Sequence, residues 1–267
     1  MKAKGNFFLD NEDVKYQLSN DGKLKDLFDI MSDEEKEAAG VSTAEEYESM
    51  ALEMLESVGE FAGTQLKNNA VQVEKEDLEL KNGQVIMPPT MSKNISTFLE
   101  LGAHALSVPI EHGGMEAPLL MELAGSELIA RACPSTLLNI SWYSHVANII
   151  AMFGTEEVQQ MFIPPIVNAE MSGSMALTEP DVGSDLANMR TYAEEQKDGT
   201  WRITGSKQFI SNGCGGLSLV IAMNAKGAKG LKKISLFVVP QEIDGKPNYE
   251  VTKIEEKPGL HGSATCS

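Results

Sequence analysis

Two short segments hold the residue types that could do chemistry. Residues 175–185 read MALTEPDVGSD and residues 203–213 read ITGSKQFISNG. In the first, a strand opens into a turn at Glu179-Pro180-Asp181 and then reaches Gly183-Ser184. A glycine beside a serine exposes backbone amides and a hydroxyl, a combination that suits a pyrophosphate. Thr178 offers a hydroxyl at the strand end, where it could bond a ring carbonyl or nitrogen. In the second segment, strand alternation puts Phe209 and Ser211 on one face. The ring could cover a flat group and the hydroxyl could bond its edge. Taken singly, the first segment reads as an ordinary polar turn and the second as a cross-strand packing pair. Neither GxGxxG after a strand nor GxxxxGK is present.

The elements that must position these residues divide in two. Up to residue 170 the pattern is helical. Ser42, with Glu45 three residues on, has the form of a capping box. It opens a helix whose apolar stripe runs through Tyr47, Met50, Ala51, Met54, Leu55, Val58, Phe61 and Ala62. Residues 77–90 read as a loop or short hairpin around Asn82-Gly83. Helices are expected through Ile95, Phe98 and Leu99, over 119–132, and over 137–153. The last is apolar on nearly every side and so is expected inside the bundle. Gly154 suits the end of that helix. Thr155 caps the next one, which carries Glu156 and Glu157 in its first turn and is expected to stop at Pro164-Pro165. From 171 onward the pattern is of strands. Runs 189–196 and 201–209 flank Asp198-Gly199 as a hairpin. Runs 217–223, 234–239 and 249–254 are further strands, with a loop of glycines and lysines (Lys226, Gly227, Lys229, Gly230, Lys232) between two of them.

Bulk properties narrow the function. The 267 residues carry 22 basic and 39 acidic side chains, a net charge of −17. Such a surface repels phosphate backbones, so nucleic acid is not an expected partner. An anionic ligand must then be held locally, by backbone amides or a few placed cations. Cys133, Cys214 and Cys266, with His104, His112, His145 and His261, form no metal-ligand spacing. Free thiols, no membrane-length apolar run and no leader-like core in the first residues point to the cytoplasm. His145 reads as a satisfied core histidine, and Met50, Met54, Met121 and Met152 as core packing. Nothing cationic adjoins Cys214 to activate it.

Five segments in order resemble the acyl-CoA dehydrogenase family: LGAHALSVPIEHGG at 101–114, FGTEEVQQMFIPPI at 153–166, MALTEPDVGSD at 175–185, ITGSKQFISNG at 203–213 and EKPGLHGSATC at 256–266. The resemblance covers roughly residues 95–267, and the extended front resembles the longer-chain branch that includes 3-methylthiopropionyl-CoA dehydrogenases. It implies an α+β, multi-domain fold. An N-terminal α-helical domain with an extension (1–170) precedes a central β-barrel or β-sandwich domain (171–267). The family's C-terminal four-helix domain is expected to be absent from these residues. It also implies FAD, with Met175, Leu177 and Thr178 lining the flavin and Gly183 and Ser184 beside the pyrophosphate. Phe209, Ile210 and Ser211 lie beside the isoalloxazine ring, and Ser184 also contacts substrate. Phe209 stands where many members have tryptophan, and Met175 where some have tyrosine. The implied reaction is α,β-dehydrogenation of an acyl-CoA, with electrons passing to an electron-transfer flavoprotein. An acyl-CoA oxidase and a flavin-binding DNA-protection relative are the alternatives. No residue here matches the catalytic base, which is expected beyond residue 267. Glu179 is read as a turn residue. The run 257–267 ends without a helix or polar tail, so the chain is expected to be a fragment of a longer protein that is a homo-oligomer when complete.

Overall fold

Ten α-helices, several short 3-10 or π-helical turns and nine strands follow one another in this computed structural model, which describes residues 5–20 and 23–267. The leader reading of the first residues rests partly on positions 1–4, which lie outside the described residues. The helices are α1 Glu12–Lys15, α2 Lys23–Ile30, α3 Asp33–Ala39, α4 Ala44–Phe61, α5 Lys67–Val73, α6 Pro89–Glu100, α7 Leu119–Ala132, α8 Pro134–Ile140, α9 Trp142–Phe153 and α10 Glu156–Val167. A hairpin of β1 Glu79–Lys81 and β2 Gln84–Ile86 interrupts them, turning at Asn82 and Gly83, both of positive φ.

The helical layer follows its apolar stripes, with several corrections. The capping box of α4 sits one residue later than expected. Thr43 Oγ1 accepts the Glu46 amide, and the Glu46 carboxylate takes the amides of Ser42 and Thr43. That register seats Tyr47, Ala51, Leu55 and Val58 in the core and frees Glu45 to pair with Lys25 at 3.1 Å. The single helix expected over 137–153 is two, α8 and α9, broken at Ser141. Its far end is not buried: Met152 and Phe153 are each 72% exposed. His145 is half exposed and its Nε2 lies 3.2 Å from Glu122 Oε1, so it is a surface neighbour of that carboxylate rather than a core histidine. Gly154 ends α9 with extended backbone, not the left-handed cap. A Cβ there would stand 2.6 Å from the Ile150 carbonyl oxygen, and that crowding is what calls for glycine. Thr155 caps α10 as expected, but Pro164 and Pro165 lie inside it, and the helix runs on to Val167.

The sheet layer consists of β3 Met175–Ala176, β4 Tyr192–Glu195, β5 Trp201–Thr204, β6 Leu217–Met223 and β7 Ile234–Pro240. β6 is its axis. Every residue of β6 is buried, as suits a strand covered on both faces whose run is apolar but for Ser218, which is bonded to Ser174 Oγ at 3.0 Å. β7 pairs antiparallel with all of β6, whereas β3 and β4 pair parallel with it at Met175↔Leu219, Ala176↔Val220 and Tyr192↔Met223. The strand expected over 249–254 does not form. A small hairpin, β8 Glu242–Ile243 with β9 Lys246–Pro247, comes first. The Val251 and Thr252 amides then go to Gly83 and Ser267 instead of to a ladder.

The two layers are tied by the last residues. Asn139 Nδ2 donates to the Gly262 carbonyl at 3.1 Å, and the His261 amide donates to Glu74 Oε2 at 2.8 Å. Ser135 Oγ donates to the other oxygen of the same carboxylate. The apolar cluster around Val146, Ile150, Ile163 and Ile166 includes Leu217 and Leu219 of β6, so α9 and α10 pack directly on the sheet.

Candidate functional site

The chain leaves β3 at Leu177 and is at once laced to the segment that follows β5. The Gln208 amide donates to the Thr178 carbonyl at 2.8 Å. Lys207 Nζ donates to the Leu177 carbonyl at 2.9 Å and to Glu179 Oε1 at 3.0 Å. Two residues later, Ile210 exchanges both backbone hydrogen bonds with Cys266. Three stretches far apart in sequence, 177–179, 207–210 and 266, therefore lie side by side.

Glu179 is the brace of this arrangement. It is 5% exposed and accepts from the amides of Arg190 and Thr191 as well as from Lys207. Burial alone would raise its carboxyl, but these donors outweigh burial and hold it below the usual carboxylate range. Burial also pulls Lys207 down, against the opposing pull of Glu179. A buried carboxylate held by two amides and a lysine is fixed in place as an anchor for the turn, which agrees with its reading as a turn residue.

Phe209 is the exposed feature. It sits between two pinned neighbours, Gln208 and Ile210, with φ of +60°, and is 58% exposed. A bulky residue in the left-handed region carries a cost on the order of 1 kcal/mol. Nothing among the described residues repays that cost by burying the ring. Residues 205–210 are not part of β5, which ends at Thr204, so the two-residue strand alternation does not govern Phe209 and Ser211. The ring is turned outward by the backbone instead, and Ser211 is half-buried. Ile210 turns the other way. Its side chain is buried with Ala176 and Val220, and its amide and carbonyl are both spent on Cys266, so it supports the turn from behind.

The other expected residues fall around this lip. Met175, Leu177 and Thr178 are half-buried, and the first two pack with Val182 and Met189. Beyond the Glu179–Val182 bridge, Gly183 and Ser184 are exposed, and a Cβ on Gly183 would meet nothing within 4 Å. No hydrogen bond among the described residues ties either of them to the 207–211 turn. The structure thus joins Leu177, Thr178 and Phe209 through adjacent backbone and sets Gly183-Ser184 apart on open surface. An exposed aromatic ring, half-buried apolar side chains, a free hydroxyl and an open glycine suit a flat ring with a phosphate tail.

Three contributors were not legible as site residues. Lys207 carried no spacing signal, because its partner Glu179 lies 28 positions away. Asn212 lies in the recognisable Asn-Gly turn. Its side chain, which bonds the Gly173 carbonyl at 2.8 Å and Ser172 Oγ at 3.0 Å, gave no sign of itself. Cys266 fills the space a Cβ on Gly213 would need, at 2.7 Å. Burial pushes the Cys214 thiol up to about 11 and the Cys266 thiol up to about 12, so neither is a nucleophile near neutral pH. An apolar cavity lined by Met31, Met50, Met54, Met115, Met121 and Tyr47 lies in the helical layer and touches none of these residues.

Comparison with known proteins bears on the family and the fold. The sequence profile described as the acyl-CoA dehydrogenase N-terminal domain matches residues 48–170, and that of the acyl-CoA dehydrogenase middle domain matches 174–267. The 3-methylmercaptopropionyl-CoA dehydrogenase of Ruegeria pomeroyi is 31% identical over 224 residues, covering 79% of this chain and 38% of that protein. The broad-specificity linear acyl-CoA dehydrogenase of Mycobacterium tuberculosis is 32% identical over 232 residues, covering 81% and 38%. The solved butyryl-CoA dehydrogenase of Megasphaera elsdenii superposes with a TM-score of 0.68 at 27% identity, over 81% of this chain and 54% of that one. The chain thus spans well under half the length of those curated relatives. With both profiles matched in order and the fold shared, the chain belongs to the acyl-CoA dehydrogenase family.

Proposed function

We propose that this chain provides the helical layer and the flavin-side wall of an FAD-dependent acyl-CoA dehydrogenase. The observation that carries the reading is Phe209: a ring held outward in a costly backbone conformation, next to the strand end at Thr178, with nothing among the described residues to cover it. In this reading Met175, Leu177, Thr178, Phe209 and Ser211 hold the isoalloxazine ring, and Ile210 fixes Phe209 from behind. Gly183 and Ser184 take the pyrophosphate, and Ser184 also touches substrate. The domain division at 170/171 belongs to the same reading, since the wall is built from 175 onward.

FAD, when bound, supplies the hydride acceptor for α,β-dehydrogenation of an acyl-CoA thioester. The chain's own part is to bind and orient. Leu177 and Met175 shield one side of the ring from water, and Thr178 and Ser211 present hydroxyls to its edge. Lys207 and Glu179 lock the two turns at one spacing, so that the hydroxyls and Phe209 keep a fixed relation. Glu179 moves no proton, and the α-proton is left to a base not assigned among these residues. Electrons would then pass to an electron-transfer flavoprotein, and a cytoplasmic location would suit three cysteines that form no disulfide framework.

Adding FAD to the purified chain and recording its visible spectrum tests the reading. A perturbed, resolved flavin band that weakens in Phe209→Ala and Ser211→Ala supports it. A spectrum identical to free FAD at saturating protein overturns it.

A further inference from the structure

Five of the chain's fourteen methionines meet at one place in the helical layer. Met31 follows α2, Met50 and Met54 lie on α4, Met115 precedes α7, and Met121 lies on it. All five line a cavity of about 20 Å³, room on the order of one water. Apart from Tyr47 and Glu116, the rest of the lining is alanine, leucine and proline. Helical core spacing accounts for Met50, Met54 and Met121. It does not account for Met31 and Met115, which reach the same space from outside the helices. The Met115 side of the cavity is fixed: the amides of Met115, Glu116 and Ala117 donate to the carbonyls of Ala105, Val108 and Leu106 at 3.3, 2.9 and 2.8 Å. Met115 itself is 42% exposed and so gives a way in from solvent.

The chemistry of the lining says what fits. Tyr47 is buried, and its hydroxyl has no hydrogen-bond partner among the described residues. Burial, with the charge of Glu35 adding to it, pushes that phenol up to about 12, so it stays neutral. A water in the space needs several polar partners, and thioethers are weak acceptors. The same sulfurs are soft, uncharged ligands, which select Cu(I) and leave Mg(II) to oxygen ligands. They bring no charge to offset that of an ion. The surroundings do: Glu116 is in the lining, and Glu35 is close enough to act on Tyr47. Residues 171–267 hold eleven acidic and eleven basic side chains, so the whole charge of −17 lies in residues 1–170, around this cavity. We infer that the cavity binds one soft monovalent metal ion, Cu(I), through thioethers drawn from Met31, Met50, Met54, Met115 and Met121, with the Tyr47 oxygen beside them. The site shares no residue with the flavin wall and does not depend on it.

Titration of Ag(I), a redox-stable stand-in for Cu(I), into protein labelled at its methionine methyl groups tests this by NMR. The methyls of the five cavity methionines should shift together and saturate with a single ion, while that of exposed Met161 stays in place. Mg(II) should move none of them. Met50→Leu/Met54→Leu/Met121→Leu keeps the cavity's volume nearly constant and should abolish the shifts of Met31 and Met115. Met115→Leu, at the exposed mouth, leaves the buried packing alone. In that variant the four remaining methyls should need a higher Ag(I) concentration to shift, which keeps the test decisive should the triple variant fold poorly. The thiols of Cys133, Cys214 and Cys266 also take Ag(I), but ions held there would leave the cavity methyls unmoved and would be indifferent to both variants. Cavity methyls that do not respond at saturating Ag(I), shifts that persist unchanged in Met115→Leu, or an equal response to Mg(II) would each overturn the inference.

Discussion

Phe209 and Glu179 show how single residues were legible by type and not by conformation. The sequence marked an aromatic and a hydroxyl two apart, but the strand that should have aligned them ends at Thr204. What places Phe209 is the pair of backbone bonds on either side of it, to Thr178 and Cys266. Those partners are distant in sequence and leave no local pattern. The cost of its φ of +60° can be tested. Phe209→Gly removes a strain on the order of 1 kcal/mol and adds a similar unfolded-state entropy. Its denaturation midpoint should therefore match wild type closely. Phe209→Ala keeps the strain. Both should weaken FAD by about tenfold, as loss of one aromatic contact does. For Glu179, the native carboxyl lies below its ordinary value of 4.5. The stability it contributes is complete above that pH and is lost as pH falls from there through the native value. Glu179→Gln should flatten that acid limb of a pH–stability curve. Lys207→Met, which leaves the buried carboxylate without its cation, should cost about 3 kcal/mol at neutral pH by urea unfolding.

At the scale of elements, periodicity found the helix of 119–132 and the strand of 217–223 with their observed bounds, because each has a single unambiguous pattern. It erred where two patterns competed. The run Ser42-Thr43-Ala44-Glu45-Glu46 holds two overlapping capping boxes, and only the tertiary seat of Tyr47 and Ala51 chooses between them. Thr43→Ala should therefore cost about 1 kcal/mol and Ser42→Ala only a few tenths, read from chemical denaturation. Equal losses would restore the earlier box. The break at Ser141 was hidden because apolar residues continue across it. The prolines of α10 did not end the helix where Pro alone would suggest, since its last turn still closes through the Asn168 amide on the Pro164 carbonyl.

Across the whole molecule, the order of helical then sheet layers was legible from the change of period. The strap that joins them was not. Residues 251–267 return to the helical layer through Glu74, Asn139 and the β1–β2 turn, and no pattern in the sequence announces such contacts. Gly262 is the tightest point of that strap. A Cβ there would lie 2.4 Å from Val73 Cγ1, in a core side chain that has no room to move. Gly262→Ala should cost about 2 kcal/mol and should raise amide exchange across 251–267 before the helices open. Unchanged exchange there would mean that the strap is not what joins the layers. Because Cys266 in the strap also backs Ile210, the same variant should loosen the Phe209 turn.

The central claim is that the turns at 177–184 and 207–211 form one wall for a flavin ring. It is tested most directly by adding FAD to isotope-labelled protein and following resonances residue by residue. The account predicts the largest shifts at Met175, Leu177, Thr178, Gly183, Ser184, Phe209 and Ser211, with the Phe209 ring protons moved by the ring current of the flavin. Shifts confined to other surfaces, or a Phe209 ring that does not respond at saturation, would contradict it.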